Sequence, residues 1–468
     1  MSVVLHDRLA ARGDAPALVA ADRTVSYAQL CEAIGAAHAV LDRERVARGA
    51  VTGLVGDFGR AAIAMQLALF ERGCAVVPLR AQDAARHASL AALAQVEQLV
   101  VCSDDAGGDA LVRPAGGAVS RPAGDAVVRS TGDAAHHVLY ERLRGDGHAG
   151  LVLFSSGTGG APKAALHDMD RMLAKYEVPR APARLLAFLL FDHIGGVNTL
   201  LHALLHGGCL VTVADRAPDT VAAAIARHRV EVLPASPTFL NLLLLSGALE
   251  RHDLSSLRVV SYGTEPMSPA TLDAFHRRLP GVKLHQTYGM TELGILASRS
   301  RGSDSLWMRL DADACDHRVR DGLLEVRTRG VMLGYLNAAG GAADDGWFAT
   351  GDAVEVDGEW IRVLGRPSEL INVGGLKVVP AEVEGVLEAM PEVRQAVVSG
   401  EPSPVTGQLV RATVWLAEQQ TVPAFRARMR AHCRERLARH MVPQKVVLSD
   451  GPLHGARQKK QRIPGTGG

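Results

Sequence analysis

The segment Leu151-Val-Leu-Phe-Ser-Ser-Gly-Thr-Gly-Gly-Ala-Pro-Lys163 sets an apolar run directly before a loop of hydroxyls and glycines that closes on a lysine. Such a loop can wrap backbone amides around phosphate oxygens, with Lys163 adding a positive charge. It is not the common nucleotide loop Gly-x-x-x-x-Gly-Lys-Ser/Thr. Counted from Gly157, Pro162 stands where that pattern has glycine, and Ala164 follows the lysine. A kinase-type or ATPase-type loop is therefore disfavoured. On this segment alone, a flexible turn with an exposed lysine stays open.

Four further motifs make the pattern specific. Ser155-Ser156-Gly157-Thr158-Gly159-Gly160-Ala-Pro-Lys163 resembles the phosphate loop of the superfamily of adenylate-forming enzymes, which unites acyl-CoA synthetases, nonribosomal adenylation domains and luciferases. Gly263-Thr264-Glu265 resembles its adenine-facing loop, and Tyr288-Gly289-Met-Thr291-Glu292 its Tyr-Gly-x-Thr-Glu signature. Thr350-Gly-Asp352 resembles its ribose-binding motif, and Gly365-Arg366 through Glu384 its hinge and first C-terminal elements. The motifs stand in the family's order, and the likeness runs from about Thr24 to Arg462.

The resemblance implies an α/β fold. A large N-terminal core of βα-built sheets packed with helices would occupy 1–364, a hinge 365–368, and a small mobile α+β lid 369–468. It also implies a reaction. ATP would convert a carboxylic acid to an acyl-AMP with loss of pyrophosphate, and the acyl group would pass to the thiol of CoA or of a phosphopantetheine.

The residue types agree with that chemistry. Two anions must be held together, and charge on the α-phosphate compensated during in-line displacement. Tyr288 offers a flat ring to an adenine and Thr291 a hydroxyl to a phosphate. Glu292 is a hard oxygen ligand suited to Mg²⁺, with Thr158 as its companion in the family's pattern. Asp352 can accept from both ribose hydroxyls, and Arg366 supplies a planar fork. Taken singly, a buried tyrosine, a helix-capping Thr-x-Glu and a Thr-Gly-Asp turn would be the plainer readings.

The family also uses a lysine near the C-terminus that bridges the substrate carboxylate and the α-phosphate. Gln458-Lys459-Lys460-Gln461-Arg462 matches and places that role on Lys459, although Gln458 replaces the usual glycine and Lys460 is adjacent. Gly159 replaces a hydroxyl residue of the phosphate loop, which removes a phosphate contact and adds backbone freedom. Ser368 replaces the usual hinge Asp or Lys, beside a stiff Pro367.

Phe191-Asp192-His193-Ile-Gly-Gly196 lies where the family builds its acyl pocket, together with Ser261. His193 matches the histidine of many acyl-CoA and aryl-CoA ligases. Asp192 could instead neutralise a substrate ammonium, but the adjoining Gly-Gly is ligase-like, so an uncharged acyl or aryl acid is expected. A helix-starting Asp192 with a structural His193 is the alternative. Gly374 and Gly375 would line the path of the incoming thiol after the lid swings. With no carrier module after the lysine motif, the acceptor is expected to be CoA, a separate acyl or peptidyl carrier protein, or another nucleophile. The surroundings of Ser261 and the Lys459-Lys460 ending are similar to stand-alone ligases of bacterial secondary metabolism. Transfer to an amine, or a nucleotide-binding regulator without turnover, are the rival readings.

These residues need elements to position them. From Leu151 to about Glu292, apolar runs of strand length alternate with helical patterns, as βα units feeding a buried sheet do. Ser268-Pro269 opens a helix through Arg278 that Gly281 closes, and Val282 to Gln286 is the next strand. Val354 to Val363 alternates around Asp357-Gly358 as a hairpin. Beyond it the pattern predicts a Gly374-Gly375 turn, a helix over 380–390, strands near Ala396 and over 410–416, and a helix over 422–440. The stretch 104–150, rich in Gly, Ala, Asp and Arg, reads as a mobile surface insertion.

At 468 residues the chain exceeds one hydrophobic core. Its 51 basic and 50 acidic residues give a net charge of +1 and no broad field for nucleic acid or anionic lipid. Six cysteines without Cys-x-x-Cys spacing argue against zinc and for buried free thiols. The N-terminus carries no basic stretch before an apolar core, and the run Leu185 to Phe191 is too short for a bilayer. A cytoplasmic enzyme is expected.

Overall fold

The computed structural model describes residues 2–20, 22–102, 110–114, 135–156, 161–343, 345–455 and 460. Two seven-stranded sheets form the large unit. In the first, Val51–Gly56, Ala75–Arg80, Gln98–Cys102 and Gly150–Ser156 run parallel, flanked by antiparallel Pro162–Asp168 and Ala110–Pro114. In the second, Arg184–Leu186, Cys209–Val211, Val232–Ala235, Val259–Tyr262 and Lys283–Gln286 are parallel. Pro16–Ala20 extends that set beside Cys209–Val211. Val51–Gly56 and Ala75–Arg80 are buried at every position, because helices cover both faces of a parallel sheet.

The helices Tyr27–Arg43, Arg60–Glu71 and Ile194–Leu205 contribute to one core that includes strands of both sheets. Leu54, Val76 and Leu151 enter it from the first sheet, and Leu18, Leu185 and Leu210 from the second. The helix Tyr27–Arg43 begins at a reciprocal capping box between Ser26 and Gln29 and buries Tyr27, Leu30, Ile34, Ala37 and Leu41 at helical spacing. Arg60–Glu71 buries nearly its whole surface, as expected of a helix that is apolar all round. Each aliphatic side chain so buried contributes roughly 1.5–3 kcal/mol.

A six-stranded antiparallel sheet, from Ser298–Ser300 to Trp360–Gly365, completes the large unit. After it, residues 371–449 build a separate five-stranded sheet with its own core and the helices Pro380–Glu388 and Val422–Arg434.

Several expectations need correction. The segment 104–150 is not wholly an irregular insertion: Ala110–Pro114 pairs with Gln98–Cys102, and Val138–Asp146 is a helix. Residues 104–109 and 115–134 lie outside the described residues. Ser268 caps Pro269–Arg278 as read, but the helix stops at Leu279 and Gly281 has no left-handed conformation. In the hairpin, Asp357 pairs with Trp360, so the turn residues are Gly358 and Glu359 rather than Asp357 and Gly358. Gly358, at φ +60°, supplies the one positive dihedral. The last long helix ends at Arg434, and a strand Lys445–Ser449, unanticipated, pairs parallel to Gly407–Leu416. The cysteines are free, with Cys31 half-buried and the other five buried. Among the described residues no helix is long and apolar enough to cross a membrane.

Tyr27 ties the central helices to the second sheet. Its buried hydroxyl donates to the Gly208 carbonyl at 2.8 Å and approaches that of Leu204 at 3.1 Å. Tyr27→Phe is expected to lower the unfolding free energy by about 1–2 kcal/mol with the urea m-value unchanged. An unmoved midpoint would show that these carbonyls find other donors.

Candidate active site

The hairpin Tyr288–Met290 with Gly294–Leu296 holds the site together, because residues on both of its flanks carry expected ATP contacts. On one flank the Tyr288 hydroxyl donates to Asp352 Oδ2 at 2.7 Å, and Asp352 Oδ1 lies 3.7 Å from Arg366 Nε. Burial first, then the Asp352 charge, raises the Tyr288 pKa far above its ordinary value and keeps it a donor. The ring is packed with Leu296 and Met308 in the core of the six-stranded sheet. The ring is thus buried, and its hydroxyl fixes Asp352.

On the other flank Glu292 is 5% exposed and has no lysine or arginine ion pair among the described residues. Its Oε1 accepts from the Tyr335 hydroxyl at 2.6 Å. Burial, then Glu292, raises the Tyr335 pKa above the ordinary range, and Ser155 bonds to the same phenol. Lys163 Nζ sits 5.0 Å from the centre of the Tyr335 ring. Tyr335 therefore gathers Ser155, Lys163 and Glu292, a role the sequence reading missed. Asn337 was missed too: it accepts from Ala164 N–H and donates to the Pro162 carbonyl, pinning the exit of the phosphate loop. The strand pair aligns Ser155 with Lys163 and Ser156 with Pro162. Gly157, Thr158, Gly159 and Gly160 lie outside the described residues.

The carbonyl of Thr291 accepts from His167 Nε2 at 2.6 Å. Burial lowers the His167 pKa to about 4, so the ring is neutral and carries its proton on Nε2. This fully buried histidine fixes the backbone between Thr291 and Glu292.

Gly263 is required by close approach, since a Cβ there would stand 2.7 Å from Thr287 Oγ1 and 2.8 Å from its carbonyl. Thr264 takes φ +76°, a strained value for a β-branched residue, and its buried hydroxyl has no hydrogen-bond partner. Thr264 thus combines backbone strain with an orphaned hydroxyl. The Glu265 carboxylate accepts from Thr238 N–H at 2.9 Å and from Lys460 N–H at 3.3 Å, so it joins distant protein segments.

Phe191 is buried edge-on against Phe58, ring centres 5.4 Å apart. That contact brings the loop after Arg184–Leu186 against the loop after Val51–Gly56, so the carboxyl ends of both parallel sheets face one crevice. The helix cap is His193 and not Asp192: His193 Nδ1 accepts from Gly195 N–H at 3.1 Å. Gly196 admits no side chain, because a Cβ would lie 1.9 Å from the Leu190 carbonyl. Asp192 shares the electrostatic surroundings of Arg216 with Asp57 and Arg80, a set in which Arg80 is buried and the rest half-buried, and which gives it cationic neighbours. Ser261 stands mid-strand, opposite Pro234 and His285.

Lys459 and Gln458 lie outside the described residues, whereas Lys460 is fixed. Lys460 bridges antiparallel to His454, and its Nζ lies 3.1 Å from Glu384 and 2.7 Å from Glu388. Burial opposes the ammonium's charge, but the two carboxylates outweigh it and hold its pKa above the ordinary lysine value. Gly374 and Gly375 form the expected turn at φ +60° and +88°. Both are exposed, as is Leu376.

The chain matches the model of the family described as AMP-binding enzyme over residues 5–336, and that of the AMP-binding enzyme C-terminal domain over residues 382–457. It is 30% identical over 328 residues to the indoleacetate–CoA ligase of Aromatoleum aromaticum, covering 64% of this chain and 63% of that one. The chain thus spans less than two thirds of that relative's length. The anthranilate CoA ligase AuaEII in complex with anthranoyl-AMP shares the fold at TM-score 0.79, with 20% identity over 98% of this chain and 95% of that one. A mutant of the amide bond synthetase McbA from Marinactinospora thermotolerans is similar at TM-score 0.73, with 25% identity and 96% coverage of each chain.

The Lys460 pairing makes a test. Lys460→Met strands two buried carboxylates and should cost about 3–5 kcal/mol at pH 7.5. Stranded carboxyls have raised pKa values, so stability is lost as pH rises through them, and the deficit should shrink at pH 5.5. Thermal denaturation at the two pH values reads this, and a pH-independent deficit would contradict it.

Proposed function

The chain belongs to the AMP-binding enzyme family, and from that premise we propose that it activates a carboxylic acid with ATP and passes the acyl group to a thiol. The observation that carries this reading is the single hairpin from which Tyr288 aims Asp352 and Arg366 while Glu292 meets Tyr335, Ser155 and Lys163. One flank offers acceptors and a planar cation to a ribose. The other offers hydroxyls, an ammonium and a carboxylate to a metal-bound polyphosphate.

In the first step the acid's carboxylate oxygen attacks the α-phosphorus, the bond to pyrophosphate breaks, and acyl-AMP forms. Ser155, Ser156, Lys163 and Thr291, with the loop Gly157 to Gly160, would hold the phosphates. Glu292, a buried carboxylate without an ion pair to lysine or arginine among the described residues, fits a hard divalent cation, with Thr158 as the second ligand that the family's pattern suggests. Mg²⁺ held there would neutralise charge on the phosphates. Lys459 would bridge the two anions. Lys460 is engaged by Glu384 and Glu388, which favours its neighbour for that role.

In the second step a thiolate attacks the acyl carbon and AMP leaves. CoA or the phosphopantetheine of a separate carrier protein would supply the thiol, past Gly374 and Gly375 after rotation about 365–368. Phe191, His193, Gly196 and Ser261 would border the acid. Asp192, with Arg216 near it, is poorly disposed to hold a substrate ammonium, which supports an aryl or acyl acid without a cationic group. The relatives named for indoleacetate and for anthranoyl-AMP point to aryl acids. We place the enzyme in the cytoplasm and in secondary metabolism. The likeness to an amide bond synthetase favours a second reading, in which an amine takes the acyl group.

Pyrophosphate exchange into ATP should depend on an added aryl acid, and its absence across a broad acid panel with folded protein would sink the proposal. Mass spectrometry of products with CoA, carrier protein and amines separates the acceptors. Lys459→Ala should abolish exchange while sparing thioester formation from supplied acyl-AMP. Gly385→Ala should act in the same sense, because its Cβ would meet Ser268 at 2.7 Å where the small unit docks on the large one. Exchange should fall about tenfold, and thioester formation about twofold or less. Equal losses in both steps would contradict this.

A further inference from the structure

A group of basic side chains beside the site lacks a partner of opposite sign. Lys175 Nζ donates to Asn198 Oδ1 at 2.6 Å and to the Ile295 carbonyl at 3.1 Å, and lies 5.0 Å from the centre of the Tyr176 ring. The Tyr176 hydroxyl donates to the same Asn198 oxygen at 2.9 Å. His202 and His206 follow one turn apart, their rings 4.6 Å from each other and 6.4 and 6.0 Å from Tyr176. Exposed Arg180 acts electrostatically on Lys175 and both histidines. Among the described residues, no aspartate or glutamate forms an ion pair with any of these four basic groups.

The position matters as much as the charge. Ile295 is the cross-strand partner of Gly289, so Lys175 Nζ, 3.1 Å from the Ile295 carbonyl, sits against the second strand of the central hairpin. Asn198 lies less than one turn beyond Gly195 and Gly196, at the start of the helix expected to border the acid. Lys175 therefore joins the two elements that would flank the acid. Burial, then Arg180, lowers the Lys175 pKa to about 8, which still leaves most of it charged at pH 7. Burial lowers His202 to about 4, so this ring is a neutral hydrogen-bonding group there. Lys175 and Arg180 are both solvent-exposed, so an anion arriving from solution can reach this set of like charges and relieve their repulsion.

We propose that this basic cluster receives a second carboxylate on the substrate, so that the acid activated by this enzyme is a dicarboxylic acid with an aryl or alicyclic spacer. The inference rests on the acid-activating reading above. Lys175 and Arg180 supply the charge, and the neutral imidazole of His202 and the Asn198 amide add polar contacts. One carboxylate is then held at the cluster while the other is presented to ATP. The distance between the two ends selects the spacer length.

The test uses matched acids, 3-phenylpropionate against its 2-carboxy and 4-carboxy ring derivatives, with full-length protein at pH 7. Calorimetric binding in the presence of a non-hydrolysable ATP analogue is measured beside pyrophosphate exchange. At least one dicarboxylate should bind about tenfold more tightly than the monocarboxylate. Lys175→Met and Arg180→Ala should each weaken it about fivefold while changing the monocarboxylate about twofold or less. Lys175→Arg should keep the preference. The loss should appear in KM rather than kcat, which a merely structural lysine would not produce. Equal binding of all the acids to wild type, or equal weakening of both classes in the variants, overturns the inference. Binding is read without turnover, so absent exchange with every acid would refute the adenylation reading while leaving this measurement decisive.

Discussion

Everything at the site depends on one layer of apolar helices shared by two parallel sheets. Each sheet has to bury its inner face, and Arg60–Glu71 and Ile194–Leu205 are apolar enough to be covered almost all round. A common core then fixes how the sheets sit against each other, and the Phe58–Phe191 contact shows the result: loops from the carboxyl ends of both meet. The phosphate loop leaves one sheet and the hairpin at Tyr288 follows the last strand of the other. Neither sheet alone brings Ser155 to Glu292.

Once apolar packing has made the crevice, its polar groups must be satisfied inside it. Buried charges are costly unless paired, and the pairing here is dense. Tyr335 serves Glu292 and Ser155, Tyr288 serves Asp352, and His167 serves the carbonyl of Thr291. Each bond orients a group that would meet ATP, so the same contacts stabilise and preorganise the site. Thr264 is the exception, with a strained dihedral and an orphaned hydroxyl in the loop packed against Thr287. Strain of that kind persists because the tight neighbours of Gly263 leave the backbone no alternative.

Glu265 and Lys460 couple the two units. Glu265 accepts from the Lys460 amide while the Lys460 ammonium is held by Glu384 and Glu388 of the small unit's first helix. The arrangement of the small unit is thereby read by the loop that also carries Thr264. A rotation of the small unit would have to break this contact and free the Gly385–Ser268 packing together.

Much of this was legible in the sequence, because local rules decide it. Hydroxyl and glycine spacing marked the phosphate loop, Ser268-Pro269 marked a helix start, and motif order marked the family and its α/β core. The sequence also named Asp352, Arg366, Thr291 and Glu292, since those chemistries sit in short contiguous motifs. What it could not supply were pairings between segments far apart in the chain. Tyr335 carries no motif of its own and matters only because its strand lies against the strand bearing Lys163. The pairing of Glu265 with Thr238 and Lys460, and the burial of Tyr288 in the core of the six-stranded sheet, come only from the fold. The cations around Lys175 come from a turn and a helix, and gain meaning only when the hairpin's carbonyl falls between them. Spacing along the chain determines which groups are available. Which of them share a desolvated volume, and so perturb one another, is decided only when the sheets close around their common helices.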